Sequence, residues 1–341
     1  MVINASVPPA FAPAWWVPGP HAQTLWGKFA RRIPLPAAGY FERWDTPDGD
    51  FLDLFRIPGT DAAPRLLILH GLEGTVQSHY ARGILSWAAG RGWAADLLLF
   101  RGCGSEPNRA PRFYHSGETA DLSFVVSRLT ADRSSGPLFL VGYSLGGNVL
   151  LKWLGERGGA LPAAVRAAAA VSVPYDLEAG AAFIHHGFSQ IYERHFLRTL
   201  KAKAARKLDR FPGLFDPAAL AAAHSIVAFD EAVTAPVHGF ASARDYYQRS
   251  SSIRFLPDIR VPTLLLSAYD DPFLPPDRLA ATAGVARGNA ALDVCFSPHG
   301  GHVGFVSGAV PAVPVYFSEL RIDAFFTSHL ESGAPRHYDD A

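Results

Sequence analysis

The chain has 341 residues, 49% hydrophobic and only 18% charged, with 31 basic side chains set against 31 acidic ones. That length suits two average domains or one large α/β domain carrying an insertion, and the lack of net charge argues against a protein that grips nucleic acid through a basic face. Cys103 and Cys295 are the two cysteines, too few for a disulfide-built scaffold or a Cys-rich zinc site.

Residues 1–40 come first. Met1 to Trp16 has neither a basic leader nor an unbroken apolar run, so no signal peptide is expected. No stretch anywhere is long and apolar enough to predict a membrane span, and the expected setting is soluble and cytoplasmic. Pro8, Pro9, Pro13, Trp15, Trp16, Pro18, Pro20 and Trp26 make the segment too apolar for a disordered tail and too Pro-rich for a long helix. It reads as an arm packed on the body, with one or two helical turns within His21 to Arg32.

From residue 41 the pattern alternates. Strands are predicted at Asp50–Ile57, Arg65–Leu69, Ala94–Phe100, Leu138–Val141, Ala167–Val173, Thr263–Ser267 and Leu292–Phe296. Helices are predicted between and after them, at Tyr80–Gly90, Glu118–Thr130, Leu145–Glu156, Asp277–Val285 and Val310–Leu330. Short apolar strands alternating with helices imply a mostly parallel sheet covered on both faces. Ligand sites of such sheets lie beyond the carboxyl ends of the strands. Those ends carry the unusual residues here: His70-Gly71, Arg101-Gly102, Gly142 to Gly147, Asp270-Asp271 and Gly300-Gly301-His302. One connection is far longer than a crossover needs. Residues 174–257 read as a helical cap, with helices at Leu177–His186, Gln190–Leu208, Pro217–Ser225 and Ala243–Arg249. The core is then 41–173 together with 258–341.

Gly142-Tyr143-Ser144-Leu145-Gly146 matches G-x-S-x-G between a predicted strand and a predicted helix. In that setting a serine sits on a tight, strained turn, flanked by small residues, with its hydroxyl projected into a cleft. A serine hydroxyl needs a base, and the chain order in this architecture is Ser, then Asp or Glu, then His. Asp270-Asp271-Pro272 follows a late strand and resembles the G-x-x-D-P loop of many α/β-hydrolases, which selects Asp271 over Asp270. His302 is preferred to His299 because flanking glycines let its loop fold toward Ser144. The Leu145 N–H, at the start of the helix, is one candidate oxyanion donor. Leu72, after His70-Gly71, is the other. No H-E-x-x-H, Walker or dinucleotide fingerprint is present, so neither metal nor cofactor is expected.

The motifs, taken together, resemble those of the AB hydrolase 4 family, the YheT-like group of α/β-hydrolases. Pro20-His21-Ala22-Gln23-Thr24-Leu25, His70-Gly71-Leu72-Glu73-Gly74, Arg101-Gly102-Cys103-Gly104, Tyr114-His115-Ser116-Gly117, Gly142 to Asn148, Gly239-Phe240 with Asp245-Tyr246-Tyr247, and Gly300 to Phe305 follow the family's order along nearly the whole chain. The resemblance implies the α/β-hydrolase fold and carries Ser144, Asp271 and His302 over as a catalytic triad. Arg101 and His115 are expected to orient loops rather than touch substrate.

The expected activity is serine hydrolysis of carboxylic esters, of short- to medium-chain acyl or lipid type, in a largely apolar pocket. Acyl transfer to an alcohol and a non-catalytic ligand-binding protein on the same fold are the alternatives. No obligate protein partner is evident. The basic helix Tyr192 to Arg210 is a candidate for weak peripheral membrane contact, against the plainer reading of a solvated face.

Overall fold

A computed structural model of the chain describes residues 10–60, 62–131, 136–311 and 313–331. Residues 1–9 of the expected arm, with Pro8 and Pro9, and 332–341 of the expected core lie outside them. In chain order come α1 (Gly19–Ala30), β1 (Tyr40–Asp45), β2 (Phe51–Ile57), β3 (Arg65–Leu69), α2 (His79–Gly90), β4 (Ala94–Leu99), α3 (Ala120–Leu129), β5 (Leu138–Tyr143), α4 (Leu145–Arg157) and β6 (Val165–Val171). The cap region follows as α5 (Leu177–Ile184), α6 (Gln190–Arg210), α7 (Pro217–Ala222), α8 (Ile226–Phe229), α9 (Ala235–His238) and α10 (Ala243–Ser250). Then β7 (Thr263–Ala268), α11 (Pro276–Ala286), β8 (Leu292–Ser297), the short pair β9 (Val306–Ser307) and β10 (Val315–Tyr316), and α12 (Phe317–Glu331) complete the fold.

The main sheet has eight strands in the order β1-β2-β4-β3-β5-β6-β7-β8. The β1–β2 and β2–β4 pairs are antiparallel. Every pair from β4–β3 through β7–β8 is parallel. This is the α/β-hydrolase fold. The two-residue period of a strand divides its side chains between two cores. On β3, Leu67 and Leu69 join the side covered by α3, α4 and α11, while Leu66 and Ile68 join the side covered by α2 and α12. All four are fully buried, which explains why an unbroken apolar run, rather than an alternating one, marks the strand.

β1 was not among the expected strands, and three further elements differ from expectation. α1 spans twelve residues, longer than the one or two turns expected, because Pro20 sits in its first turn, where a missing N–H costs nothing. The C-terminal helix begins at Phe317, not Val310, because the β9–β10 pair occupies the apolar stretch before it. The segment 226–238, given no helix in the expectation, is one helical run in which a π-turn at Asp230–Thr234 joins α8 to α9.

Helices α5 to α10 lie between β6 and β7 and reach over the carboxyl ends of the strands. Leu197, Ala204, Phe215, Leu220, Phe229 and Val233 form an apolar cluster of their own there. No helix among the described residues is long and apolar enough to cross a membrane.

Candidate active site

Ser144 stands between β5 and α4 with φ 52° and ψ −120°, a backbone state that costs a non-glycine residue of order 1–3 kcal/mol. Its neighbours make that turn feasible. A Cβ on Gly142 would meet the Gly146 carbonyl oxygen at 2.5 Å, and one on Gly146 would meet the His70 carbonyl oxygen at 2.4 Å. Both obstacles are backbone and cannot yield, so only glycine fits. The Ser144 N–H donates to the Val171 carbonyl at 2.8 Å, which ties the turn to the adjacent strand.

His302 Nε2 lies 3.0 Å from Ser144 Oγ, and its Nδ1 lies 2.8 Å from Asp271 Oδ2. Asp271 is 2% exposed, and its other oxygen accepts the Phe273 N–H at 2.8 Å. The rival pair lies elsewhere: His299, with 62% of its side chain exposed, meets Asp270 at 3.2 Å. Asp270 also accepts the Gly301 N–H at 2.9 Å. Asp270 therefore shapes the His302 loop from outside the cleft.

The N-terminal helix holds that same loop from the opposite side, a role that motif matching did not assign. Thr24 Oγ1 accepts the His302 N–H at 2.9 Å and donates to the Pro20 carbonyl at 2.7 Å. Gln23, 1% exposed, accepts the Val306 N–H at 2.7 Å and donates to the Val306 carbonyl at 3.0 Å. Gly301, at φ +60°, approaches so closely that a Cβ would meet the Pro20 carbonyl at 2.5 Å. The signal was available: an amide and a hydroxyl stand side by side in an otherwise apolar segment, and buried polar side chains need partners.

The loop after β3 is braced group by group. The Gly71 N–H donates to the Tyr80 hydroxyl at 2.8 Å and the Glu73 N–H to the Tyr114 hydroxyl at 2.9 Å. The Gly74 N–H donates to the Gly71 carbonyl at 2.9 Å. Burial pushes His70 down to about 4, so its ring is neutral. Nε2 then accepts the Phe100 N–H at 3.1 Å while Nδ1–H donates to the Gly71 carbonyl at 2.7 Å. Among the described residues, no protein acceptor takes the N–H of Leu72 or that of Leu145, the first residue of α4. Two free donors thus flank the serine turn.

From the cap, Lys203 of α6 reaches down to Glu73 at 2.7 Å. The basic helix spends several cations this way. Lys201 donates to the Ala221 and Ala223 carbonyls, Lys207 to the Ala110 carbonyl and Arg210 to the Asn108 carbonyl. Arg101 is 2% exposed and forks onto Asp121 at 2.7 Å, with Asp50 at 2.8 Å; it orders loops and does not line the cavity. His115, in contrast, stands in the cavity wall. Burial raises the Cys103 thiol to about 11, which suppresses its thiolate.

Ser144 and His302 open into a cavity of about 650 Å³ walled by core and cap together, with Leu72, Tyr192, Phe196 and Phe273 among its lining residues. Among the described residues, no group of three or more His, Cys, Asp or Glu side chains converges as a metal ligand set would.

Comparison with known proteins agrees with this architecture. The chain is 40% identical to YheT of Escherichia coli K12 over 317 residues, covering 92% of this chain and 91% of that one. It is 28% identical to the mouse phospholipase ABHD3 over 319 residues, covering 91% and 76% respectively. The solved Pyrococcus furiosus esterase Pf2001 superposes with a TM-score of 0.57 at 16% identity, covering 88% of this chain and 98% of that one, and so shares the fold. The family model described as the alpha/beta hydrolase fold matches residues 64–309, a span that contains Ser144, Asp271 and His302, and the chain belongs to that family.

Proposed function

We propose that this carboxylic ester hydrolase is a serine esterase of short- to medium-chain acyl or lipid esters, working through an acyl-enzyme on Ser144. The observation that carries the reading is the unbroken chain Ser144 Oγ, His302, Asp271 at 3.0 and 2.8 Å, in the wall of a largely apolar cavity. His302 takes the Ser144 proton on Nε2 as Oγ attacks the ester carbonyl. Asp271 holds Nδ1–H, sets the tautomer and stabilises the imidazolium. The free N–H groups of Leu72 and Leu145 receive the oxyanion, where each donor contributes about 3 kcal/mol of transition-state stabilisation. The protonated His302 then protonates the leaving alcohol. A water deprotonated by the same nitrogen releases the acid.

Relatives named as a phospholipase and, in yeast, a monoacylglycerol lipase support ester substrates with acyl chains. A cavity of this size holds a drug-sized ligand. Exposed Phe188 and Ile191 beside the exposed Arg194 and Arg198 support a weak contact of α6 with anionic lipid surfaces.

The test is labelling by a fluorophosphonate probe together with hydrolysis of p-nitrophenyl esters from acetyl to long-chain acyl. Labelling and turnover should both vanish in Ser144→Ala, and turnover should vanish in His302→Ala. Folded wild-type protein that neither labels nor turns over any ester would sink the reading. Transfer to added alcohols that outruns hydrolysis would convert it to an acyltransferase.

A further inference from the structure

The far wall of the cavity carries a carboxylate that the ester chemistry does not use. Asp230 opens the π-turn, where the widened helix places it in the cavity wall together with Thr234, Tyr246 and Tyr247. π-Turns recur at functional sites. Asp230 is 9% exposed. One of its oxygens accepts the Thr234 hydroxyl at 2.6 Å, the other the Tyr247 hydroxyl at 2.7 Å. Both partners are neutral. Among the described residues, no Lys, Arg or His stands within ion-pair distance of it.

This is a costly arrangement for a merely structural residue. A buried carboxylate is ordinarily paired with a cation, or it takes up a proton. Burial does push this carboxyl up, to about 6, which still leaves it ionised at neutral pH. Each oxygen retains a lone pair beyond the hydroxyl it already accepts. The surrounding wall is aromatic and aliphatic, from Phe229, Tyr246, Tyr247 and Leu177, and aromatic faces attract cations. What the site lacks is a positive charge that can also donate hydrogen bonds, and the open cavity is the side from which one can arrive.

We propose that the cap end of the cavity is a subsite for an ammonium group, so that the protein takes esters bearing a protonated amine remote from the scissile bond. The identification of the ligand as a substrate rests on the esterase reading; the ammonium site itself does not. Asp230 supplies the charge, and Thr234 and Tyr247 hold its two oxygens in place. The cavity is continuous from this wall to Ser144, so an amine seated there would extend its ester toward the nucleophile.

Two measurements test it. First, binding of n-alkylammonium ions and of the matching n-alkanols to folded wild-type protein is followed by thermal shift and calorimetry, which needs no turnover. The ammonium ions should bind about tenfold or more tightly than the alkanols, as expected for a charge-assisted hydrogen bond, and Asp230→Asn should erase the difference. Equal binding of the two series by wild type would overturn the subsite, whether or not that protein hydrolyses esters. Second, kcat/KM is compared between p-nitrophenyl ω-aminoalkanoates and their methyl-terminated counterparts, and between acetates of ω-amino alcohols and of n-alkanols, over a ladder of chain lengths. A preference of about tenfold for the amine should emerge at one length in one series and collapse in Asp230→Asn. Turnover of plain esters with no such preference at any length would overturn the proposal and leave the esterase reading standing. Ammonium binding without ester turnover would do the reverse. If Asp230→Asn does not fold, the wild-type ratios alone decide, and Tyr247→Phe, which frees one carboxylate oxygen, should alter the ammonium-to-alkanol ratio.

Discussion

At the core end of the cavity, groups from the carboxyl ends of three strands form a chain in which His302 lies within 3.0 Å of both Ser144 and Asp271. The serine turn there is held by backbone: a strained serine, glycines that nothing larger can replace, and an N–H tied to the neighbouring strand. At the cap end, Asp230, Thr234 and Tyr247 are held to one another by side chains, through two hydroxyl bonds to a single carboxylate. That turn tolerates little variation, because the nearest obstacles at Gly142 and Gly146 are backbone groups that cannot move. Side-chain-held geometry can be retuned by one substitution. The division of labour follows: chemistry sits where the scaffold is rigid, and selection among substrates sits where it is adjustable.

The sharpest way to break this contrast is Asp271→Asn. It leaves the fold alone but offers His302 the wrong partner for its Nδ1–H, and kcat should fall by roughly 10⁴-fold. Steady-state kinetics on a p-nitrophenyl ester checks it; a loss of less than about tenfold would mean that the aspartate is not holding the imidazole tautomer. Thr24→Val removes the acceptor for the His302 N–H from a helix outside the strands. We expect kcat to fall roughly 10- to 100-fold with KM little changed, since small misplacements of a base carry such losses. Thr24→Ser should restore it, whereas a rise in KM together with the fall in kcat would point to general loosening.

At the cap end the expected effect is on stability and not on chemistry. The Asp230 carboxyl holds its proton to about pH 6 in the fold but only to the ordinary 3.8 when unfolded. The folded state therefore binds more protons between those values, so its stability falls as pH rises from about 4 to about 6. The facing groups, Thr234, Tyr246 and Tyr247, bring no charge in that range. Asp230→Asn should match wild type near pH 4 and exceed it at pH 7, by on the order of 1–3 kcal/mol in denaturant titrations. A constant difference across that range would show that the carboxyl does not titrate as its burial implies.

The same contrast decides what could be read from sequence. The run Arg65–Leu69 is a strand with those very ends, because a strand buried on both faces leaves an uninterrupted apolar signature. The serine turn was legible because steric exclusion writes itself as glycine at fixed offsets. β1 was not: Tyr40–Asp45 is an edge strand, mixed in charge and partly exposed, whose pairing with β2 supplies what its own sequence does not. The helical run through 226–238 was hidden by Pro236, which ordinarily breaks a helix. The π-turn immediately before it widens the backbone and lets the run continue. Asp230 carries no signal either, since an acidic residue in an unassigned segment looks like any solvated one until its burial is known. Thr24 and Gln23 were quoted as part of a motif, but their task became visible only once the loop that they hold had been located.

That hold joins residues 278 and 283 positions apart. During synthesis α1 leaves the ribosome well before the loop bearing His302 and cannot meet it until that loop emerges. Contacts of such separation form late and slowly. The serine turn, built from nearer neighbours, can be in place well before its base is fixed. On the proposed mechanism, a chain whose α1 has not yet docked would hold a shaped serine turn beside a loosely held His302, and ester cleavage would begin only when α1 closes on that loop.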